Sequence, residues 1–324
     1  MLHRMQTRTL GRLGPVSSLT IGGGGLGQVW GSTSREEAVS TLRKAVDCGI
    51  TLIDMAPMYG SDGEAERVVG ETFAGALPAG VRVTTKHLLG TPPAGEVYPR
   101  LSTSLHASLE RMKLARVDVL IVHGMLDAGA PEGATGRTSL SLIASAVIPA
   151  FERLIGEGRI SGWGITGVGY PASIIEALSS QSPPHIVQCI ANLLDSPGGM
   201  KRFEEDARPR EIIAAANRNG VGVMGIRAVQ AGALTSAIDR NLPAGHPEAL
   251  DFARAEPFRQ LAAEMSATPA FLAHRYALSI PGVDTVVLGV KNRDELDECL
   301  AAEGAGPLSD TEMARIDAAV GRTR

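Results

Sequence analysis

Cysteine is scarce in this sequence of 324 residues. The three cysteines, Cys48, Cys189 and Cys299, lie far apart, and none belongs to a Cys-x-x-Cys pair or a Cys/His cluster. This pattern excludes a disulfide framework and a zinc site of the usual spacing, and we expect no metal ion. It is typical of a protein from a reducing compartment.

Long apolar runs and clustered charge of one sign are also missing. The first residues, MLHRMQTRTLGRLG, lack the apolar core of a signal peptide, and no stretch approaches the roughly 18 apolar residues that a membrane-spanning helix needs. The net charge of −4 and the pI near 6.0 argue against a nucleic-acid or membrane partner. We therefore expect a cytoplasmic protein that binds a small molecule.

Short apolar runs rich in Val and Ile alternate with longer segments of helical periodicity. This alternation is typical of βα units in a parallel sheet. Eight runs predict strands at 19–22, 51–54, 82–86, 117–122, 160–165, 185–190, 221–226 and 285–288. Eight βα units without a break in composition predict one α/β domain over residues 1–324, a (β/α)8 TIM barrel.

Helices are predicted between these strands, the first of them opening at Ser34 with a capping box to Glu37. The others cover 64–72, 100–112, 142–157, 171–178, 209–218 and 270–278. Residues 8–19 predict an N-terminal β-hairpin that closes the bottom of the barrel. Three long segments rich in Gly, Pro and Ala, 127–137, 194–209 and 228–257, predict loops on the C-terminal face, where loops set specificity.

Polar residues end three successive strands of the predicted barrel. Asp54, Lys86 and His123 each follow an apolar run, at separations of 32 and 37 residues. Because the carboxyl ends of parallel barrel strands meet at one rim, these side chains are expected to lie together. Tyr59 follows Asp54 by five residues and would lie over the same rim. Any one of these residues alone is more often structural than catalytic, but four in this order predict an active site.

The segment Asp-Met-Ala-Pro-Met-Tyr-Gly, residues 54–60, resembles the Asp-x-Ala-x-x-Tyr-Gly signature of the aldo-keto reductase superfamily. Lys86 and His123 fall where that family has its lysine and histidine. The resemblance covers essentially the whole chain, and its further matches are Arg8-Thr-Leu-Gly11, Glu66, Gly70, Gln188, Gly232-Ala-Leu-Thr235 and Ala277-Leu-Ser-Ile-Pro-Gly282. It implies a nicotinamide-dependent oxidoreductase of aldehydes, ketones or alcohols.

The chemistry of the four residues agrees with this implication. A phenol is a poor acid at neutral pH, and an adjacent ammonium such as Lys86 lowers its pKa. Asp54 would pair with Lys86, and His123 would hydrogen-bond the carbonyl oxygen as hydride arrives. Tyr59 would then transfer the proton.

Cofactor contacts are predicted from the strand ends and from the resemblance. The Gly-x-Gly-x-x-Gly of residues 22–27 is not interpreted as a Rossmann fingerprint, because no helix opens on it. Strand eight instead runs through Gly289 into a helix whose start suits a phosphate, and Lys291 and Arg293 there favour NADP(H) over NAD(H). The other predicted contacts are Thr166, Gln188, Ile226, Gly232 and Leu234, and Trp30 is expected to wall the substrate pocket.

Three positions depart from the family pattern. Gly167 stands where an Asn usually binds the nicotinamide carboxamide, Ile226 where an aromatic residue usually stacks on the nicotinamide, and Cys299 where an Asn often binds adenine. Gln188 and Asn192 remain as amide partners for the carboxamide. These departures predict that the protein contacts the nicotinamide and the adenine of the cofactor in an unusual way.

Three alternatives to carbonyl reduction are open at this point. The same four residues could oxidise a sugar hemiacetal, as aldose and lactol dehydrogenases of the family do. The chain could be a non-catalytic nucleotide-sensing subunit, like the potassium-channel β subunits of the superfamily. A barrel enzyme using Lys86 as a Schiff-base nucleophile would require a lowered lysine pKa, which a neighbouring Asp54 opposes.

Overall fold

The computed structural model describes residues 5–322, so residues 1–4 and 323–324 of the predicted domain lie outside it. Eight parallel strands close into a barrel in chain order, and the last pairs with the first. With the hairpin strands counted as β1 and β2, the barrel strands are β3 (Leu19–Gly22), β4 (Leu52–Asp54), β5 (Arg82–His87), β6 (Val119–Val122), β9 (Gly162–Gly167), β10 (Ile186–Ile190), β11 (Gly222–Ile226) and β12 (Thr285–Leu288). The predicted barrel is confirmed.

Helices surround the barrel and bury an apolar face against it. They are α1 (Gly23–Leu26), α2 (Arg35–Asp47), α3 (Glu64–Phe73), α4 (Val97–Met112), α5 (Leu140–Leu142), α6 (Ile148–Gly156), α7 (Pro171–Leu178), α8 (Pro209–Arg218), α9 (Pro247–Arg254), α10 (Glu256–Glu264), α11 (Pro269–Ser279), α12 (Arg293–Gly304) and α13 (Asp310–Ala319). A π-helical stretch, Ile143–Val147, joins α5 to α6. In the part of the chain that the structure describes, no helix is long and apolar enough to cross a membrane.

The N-terminal hairpin closes the bottom of the barrel, as predicted. Its strands β1 (Thr7–Thr9) and β2 (Pro15–Ser17) pair antiparallel around the 3-10 turn Gly11–Leu13. Leu10 is fully buried against Ile186 and Met224 of the barrel interior. Gly11 has φ +47, and a Cβ atom there would stand 2.3 Å from the amide nitrogen of Gly222. The close approach of this turn to β11 therefore requires glycine.

Five details differ from the expectations. The fifth barrel strand begins and ends two residues later than predicted. The segment 228–257 contains α9 and the start of α10, and the long 127–137 loop carries a short strand pair, β7 (Met125–Leu126) with β8 (Arg137–Thr138). Glycines 23–25 form a single helical turn after β3. At α2 the Ser34 side chain accepts from the Glu37 amide, whereas the Glu37 carboxylate pairs with Arg293 instead of completing the capping box.

Candidate active site

Asp54 and Lys86 form a buried ion pair at the carboxyl ends of β4 and β5. The Lys86 ammonium is 2.8 Å from a carboxylate oxygen of Asp54, and the two side chains are 0% and 3% exposed. The second Asp54 oxygen accepts from the Thr84 hydroxyl at 2.6 Å. Lys86 also donates to the Met55 carbonyl at 2.8 Å. Both charges are thus hydrogen-bonded as well as paired, which is the condition under which a barrel interior tolerates them.

Tyr59 lies over this ion pair from the loop after β4. The Lys86 nitrogen is 4.7 Å from the centroid of the Tyr59 ring. Gly23 of the turn after β3 packs on the other side of the tyrosine, because a Cβ atom at Gly23 would lie 3.2 Å from the ring carbon Cδ2. The glycine turn therefore leaves room for the phenol.

Protonation of the tyrosine and lysine follows from their burial and mutual proximity. Burial raises the pKa of the Tyr59 phenol; the charge of Lys86 opposes this, as predicted, but does not cancel it. Burial works against the Lys86 ammonium, but the charge of Asp54 and the interaction with the Tyr59 phenol outweigh it, and the pKa of Lys86 lies above its ordinary value. In the free protein the phenol is therefore protonated and the lysine charged. A lowered lysine pKa, which a Schiff-base nucleophile needs, is not found.

His123 follows β6 and faces the same rim. Its Nδ1 atom is 3.1 Å from the hydroxyl of Thr166 on the neighbouring strand β9. Burial and the positive charge of Lys86 lower the pKa of His123 to about 4, with Asp54 acting in the opposite direction. The imidazole is therefore neutral at physiological pH.

Gln188 of β10 carries a buried donor without a partner. The residue is 2% exposed, and its side-chain nitrogen Nε2 has no hydrogen-bond partner among the described residues. It is in register with Thr166 on β9. A buried amide left unsatisfied costs about 1–3 kcal/mol, so this donor is a feature for which a ligand offers an explanation.

The departures at the predicted carboxamide site have a steric cause. A Cβ atom on Gly167 would stand 2.7 Å from a methyl group of Val187 and 3.0 Å from the Gln188 carbonyl oxygen, so an Asn has no room there. Asn192 does not replace it, because its amide is already bonded to Ser196, Arg227 and Gln230. Gln188 is the amide that stays free.

Several predicted cofactor contacts line the ends of β11 and β12. Ile226 is partly buried and packs beside Ile190 and Phe203. Gly232 has φ +91 in the turn after β11, and Leu234 is fully buried, which leaves only its backbone for a ligand. A Cβ atom on Gly25 would meet the Gly289 carbonyl oxygen at 2.5 Å. Gly25 therefore lets the turn after β3 pack directly on the backbone of residues 289–290.

Trp30, predicted in the substrate pocket, packs between the turn after β3 and the end of β12. Cβ atoms on Gly24 and Gly289 would stand 2.6 and 3.3 Å from its indole ring. The guanidinium carbons of Arg227 and Arg240 are each 5.8 Å from its ring centroid. The tryptophan therefore connects the loop after β3 with the loops after β11 and β12.

The two cations predicted to bind a 2′-phosphate are both ion-paired. The Lys291 ammonium is 2.8 Å from Asp239 and 2.7 Å from Glu295. Arg293 binds Glu37 at 2.9 Å through Nη2. The Asp239 and Glu37 pairings were not predicted, because these carboxylates are distant in sequence from the strand-eight turn. Arg227, which the structure places near the Trp30 ring, was not among the predicted site residues either, although it directly follows the predicted cofactor contact Ile226.

Cys299 is turned away from the groove. It is 1% exposed, and its sulfur lies 3.5 Å from Nε2 of His274 on α11. Burial raises its thiol pKa far above the ordinary value. The cysteine is therefore part of the packing between α11 and α12, and it makes no contact of the kind that an adenine-binding Asn would supply.

Comparisons with known proteins agree with this geometry. The chain is 28% identical over 307 residues to L-galactose dehydrogenase of Arabidopsis thaliana, covering 93% of this chain and 89% of that protein. It is 30% identical over 172 residues to methylglyoxal reductase YeaE of Escherichia coli, about half of each chain. Among solved structures, a glycerol dehydrogenase from Gluconobacter oxydans superposes with a TM-score of 0.72 at 19% identity, over 99% of this chain and 95% of that one. The aldo/keto reductase family model matches residues 18–320, and the chain belongs to that family.

Proposed function

We propose that this chain interconverts an aldehyde or ketone and the corresponding alcohol with a nicotinamide dinucleotide. The observation that carries the proposal is that Tyr59, the Asp54–Lys86 ion pair and a neutral His123 lie together at the C-terminal rim of the barrel. Membership of an oxidoreductase family supports the reaction class. The proposed substrate is a small carbonyl compound or a sugar, as the sequence predicts. The cytoplasm remains the proposed location of the protein.

In the proposed mechanism the protein supplies a proton and a polarising hydrogen bond. With the Thr166 hydroxyl donating to Nδ1, His123 carries its own proton on Nε2, and this N–H donates to the carbonyl oxygen. Tyr59 delivers its phenolic proton to the same oxygen, and Lys86 stabilises the phenolate that remains. Asp54 keeps the lysine charged and in place. A nicotinamide cofactor, when bound, would supply the hydride for the carbonyl carbon.

The residues present fit such a cofactor. Gln188 offers an unpartnered buried donor for a carboxamide oxygen. Thr166, Ile226, Gly232, Leu234, Gly289, Lys291 and Arg293 remain proposed contacts. The preference for NADP(H) over NAD(H) also stays a prediction, since using Lys291 and Arg293 for a 2′-phosphate would require breaking their ion pairs.

Oxidation of a sugar hemiacetal is the second candidate. L-galactose dehydrogenase matches along most of the chain, and its name describes a sugar oxidation. The same four residues would run in reverse, with phenolate Tyr59 accepting the hydroxyl proton. The raised pKa of Tyr59 predicts that this direction gains rate as the pH rises.

A panel of substrates tests the proposal. Aldehydes and ketones would be assayed with NADPH and NADH, and sugars with NADP⁺ and NAD⁺, using wild type and Tyr59→Phe. We expect Tyr59→Phe to lower kcat by roughly 10²- to 10⁴-fold while the fold, followed by circular dichroism, is retained. Equal rates for the two proteins on a good substrate would refute Tyr59 as the proton donor. Nucleotide binding without turnover on any substrate would favour a sensing subunit.

A further inference from the structure

Thr84 is a buried hydroxyl of β5 to which the proposed mechanism assigns no task. The residue is fully buried, and its hydroxyl donates to Oδ1 of Asp54 at 2.6 Å. The other carboxylate oxygen, Oδ2, accepts from the Lys86 ammonium at 2.8 Å. The Asp54 carboxylate is therefore held between two donors, a hydroxyl on one oxygen and an ammonium on the other.

Strand pairing brings the two donors to the same carboxylate. Asp54 on β4 is in register with Thr84 on β5. Successive side chains of a strand point to opposite faces, so Thr84 and Lys86 project from the same face of β5. The Met55 amide donates to the Thr84 carbonyl at 2.9 Å, which keeps the end of β4 attached to β5. Both donors thus belong to one strand, and their separation is fixed by its backbone.

The hydroxyl restricts the orientation of the carboxylate. The torsion that turns a carboxylate group is broad, so a single partner leaves it poorly defined. Donors on both oxygens select one orientation, in which Oδ2 faces the Lys86 nitrogen. That nitrogen is 4.7 Å from the centroid of the Tyr59 ring. Rotation of Asp54 would therefore change the position of the ammonium relative to the phenol.

The hydroxyl also favours the charged form of Asp54. A hydrogen bond donated to a carboxylate stabilises the ionised group, and short O–H···O⁻ bonds are among the stronger ones. Without this bond the carboxylate would attract the lysine proton more strongly. Burial has the largest effect in raising the pKa of Tyr59, while Lys86 lowers it and Asp54 raises it. The Thr84 hydroxyl therefore works on the side of the ammonium and makes the phenol a better acid.

Thr85, the next residue, makes an equivalent bond away from the site. Its hydroxyl donates to Glu66 at 2.6 Å, and both residues are fully buried. Glu66 on α3 is paired with Arg111 on α4 at 2.7 Å, in the helical layer around the barrel. The two threonines match in burial, in acceptor type and in distance. They differ in whether the acceptor belongs to the proposed active site, so Thr85 is a matched control.

We propose that Thr84 is a positioning residue of this site, whose hydroxyl holds the Asp54 carboxylate so that Lys86 stays charged and directed at Tyr59. This inference rests on the proposed function, in which Tyr59 transfers the proton. Thr84 would act on the reaction through Asp54 alone. Valine has nearly the shape of threonine but no hydroxyl, so Thr84→Val should weaken the acid, whereas Thr84→Ser should preserve it.

Titration of Tyr59 in the free protein tests the proposal without any ligand. The four tyrosines would be replaced by ring-fluorinated tyrosine, whose electron-withdrawing fluorine brings the titration to lower pH. The fluorine NMR signal of Tyr59 is the one missing from Tyr59→Phe. Thr84→Val should raise the Tyr59 midpoint by about half a pH unit to one unit, part of the effect of one charge-assisted hydrogen bond. Thr84→Ser and Thr85→Val should leave it close to the wild-type value.

An unchanged midpoint in Thr84→Val, or an equal shift in Thr85→Val, would overturn the proposal. A shift in Thr84→Ser as large as that in Thr84→Val would overturn it as well, because the hydroxyl would then not be responsible. The titration uses neither cofactor nor substrate, so its outcome does not depend on the Tyr59→Phe test of the proposed function. The two failures are therefore distinguishable.

Steady-state kinetics on a substrate of the wild type give a second readout. Thr84→Val should lower kcat for reduction by roughly 3- to 10-fold, in line with the change in acidity, and leave KM nearly unchanged. In the oxidation direction, the pH at which rate is gained should rise together with the fluorine midpoint. Urea unfolding should show similar losses of stability in Thr84→Val and Thr85→Val. Equal losses of kcat in these two variants would mark a structural effect and refute the assignment.

Discussion

Removal of the Lys86 charge gives a direct test of the buried ion pair. In Lys86→Met, the Asp54 carboxylate keeps the Thr84 hydroxyl as its hydrogen-bond donor but loses the ammonium 2.8 Å away. Asp54 is 2% exposed, so water cannot replace that partner. Leaving one partner of a buried pair uncompensated costs about 3–5 kcal/mol of unfolding free energy. Met fills most of the volume of Lys, so the cavity contribution is small.

A double-mutant cycle isolates the electrostatic part. Asp54→Asn leaves Lys86 unpaired and should also cost about 3–5 kcal/mol, whereas Asp54→Asn with Lys86→Met buries no charge. The double variant is therefore expected to be at least as stable as either single variant. Urea unfolding followed by circular dichroism measures the three changes, with thermal midpoints as a second readout. If the single costs simply added in the double variant, the ion pair would not be coupled as the 2.8 Å contact requires.

Two further predictions concern His123 and Gln188. The pKa of His123 is about 4 in the folded protein, whereas its ordinary value is 6.5. As the pH falls from 6.5 towards 4, the histidine of the unfolded chain therefore binds a proton before that of the folded protein does, and the folded state loses stability. His123→Gln should reduce this loss by up to about 3 kcal/mol in urea unfolding at pH 7 and pH 4, and an identical pH dependence in both proteins would contradict the assignment. Gln188→Leu should stabilise the free protein by about 1 kcal/mol, since it removes an unpartnered donor, yet weaken NADH and NADPH in fluorescence titrations. Wild-type affinity in that variant would show that Gln188 does not contact the cofactor.

The barrel strands could be predicted because each is a short apolar run with buried residues on both faces. The helices within the rim segments could not be predicted, because the prolines in these segments are typical of loops. Pro247 lies in the first turn of α9, where a missing N–H costs nothing, so the same residue that suggested a loop begins a helix. The shift of the fifth strand to 162–167 has a similar cause: Gly162, Gly164 and Gly167 weaken the strand signal, although close approach of His185, Ile186 and Val187 requires them.

Asp54, Tyr59, Lys86 and His123 could be found because each lies at or just after the end of a strand, and strand order alone brings such residues together. The pKa of Tyr59 was not predictable in the same way. The proximity of Lys86 was expected, but burial decides the direction of the shift, and burial depends on packing in the fold, including the close approach of Gly23 to the ring. Likewise, Lys291 and Arg293 were visible as cations, whereas Asp239 and Glu37 reach them only through the fold.

The two halves of the site differ in how completely their polar groups are satisfied. Asp54 and Lys86 are paired, and the His123 Nδ1 atom contacts the Thr166 hydroxyl, so the groups proposed to act in proton transfer already have partners in the unliganded protein. On the side proposed for the cofactor, by contrast, Gln188 Nε2 lacks a partner among the described residues. Unsatisfied donors raise the free energy of the unliganded protein and lower it again when a ligand accepts from them. If the proposed function holds, Gln188 has a donor in place for an amide oxygen, in a chain where Gly167 and Cys299 stand at positions predicted to carry asparagine in the family.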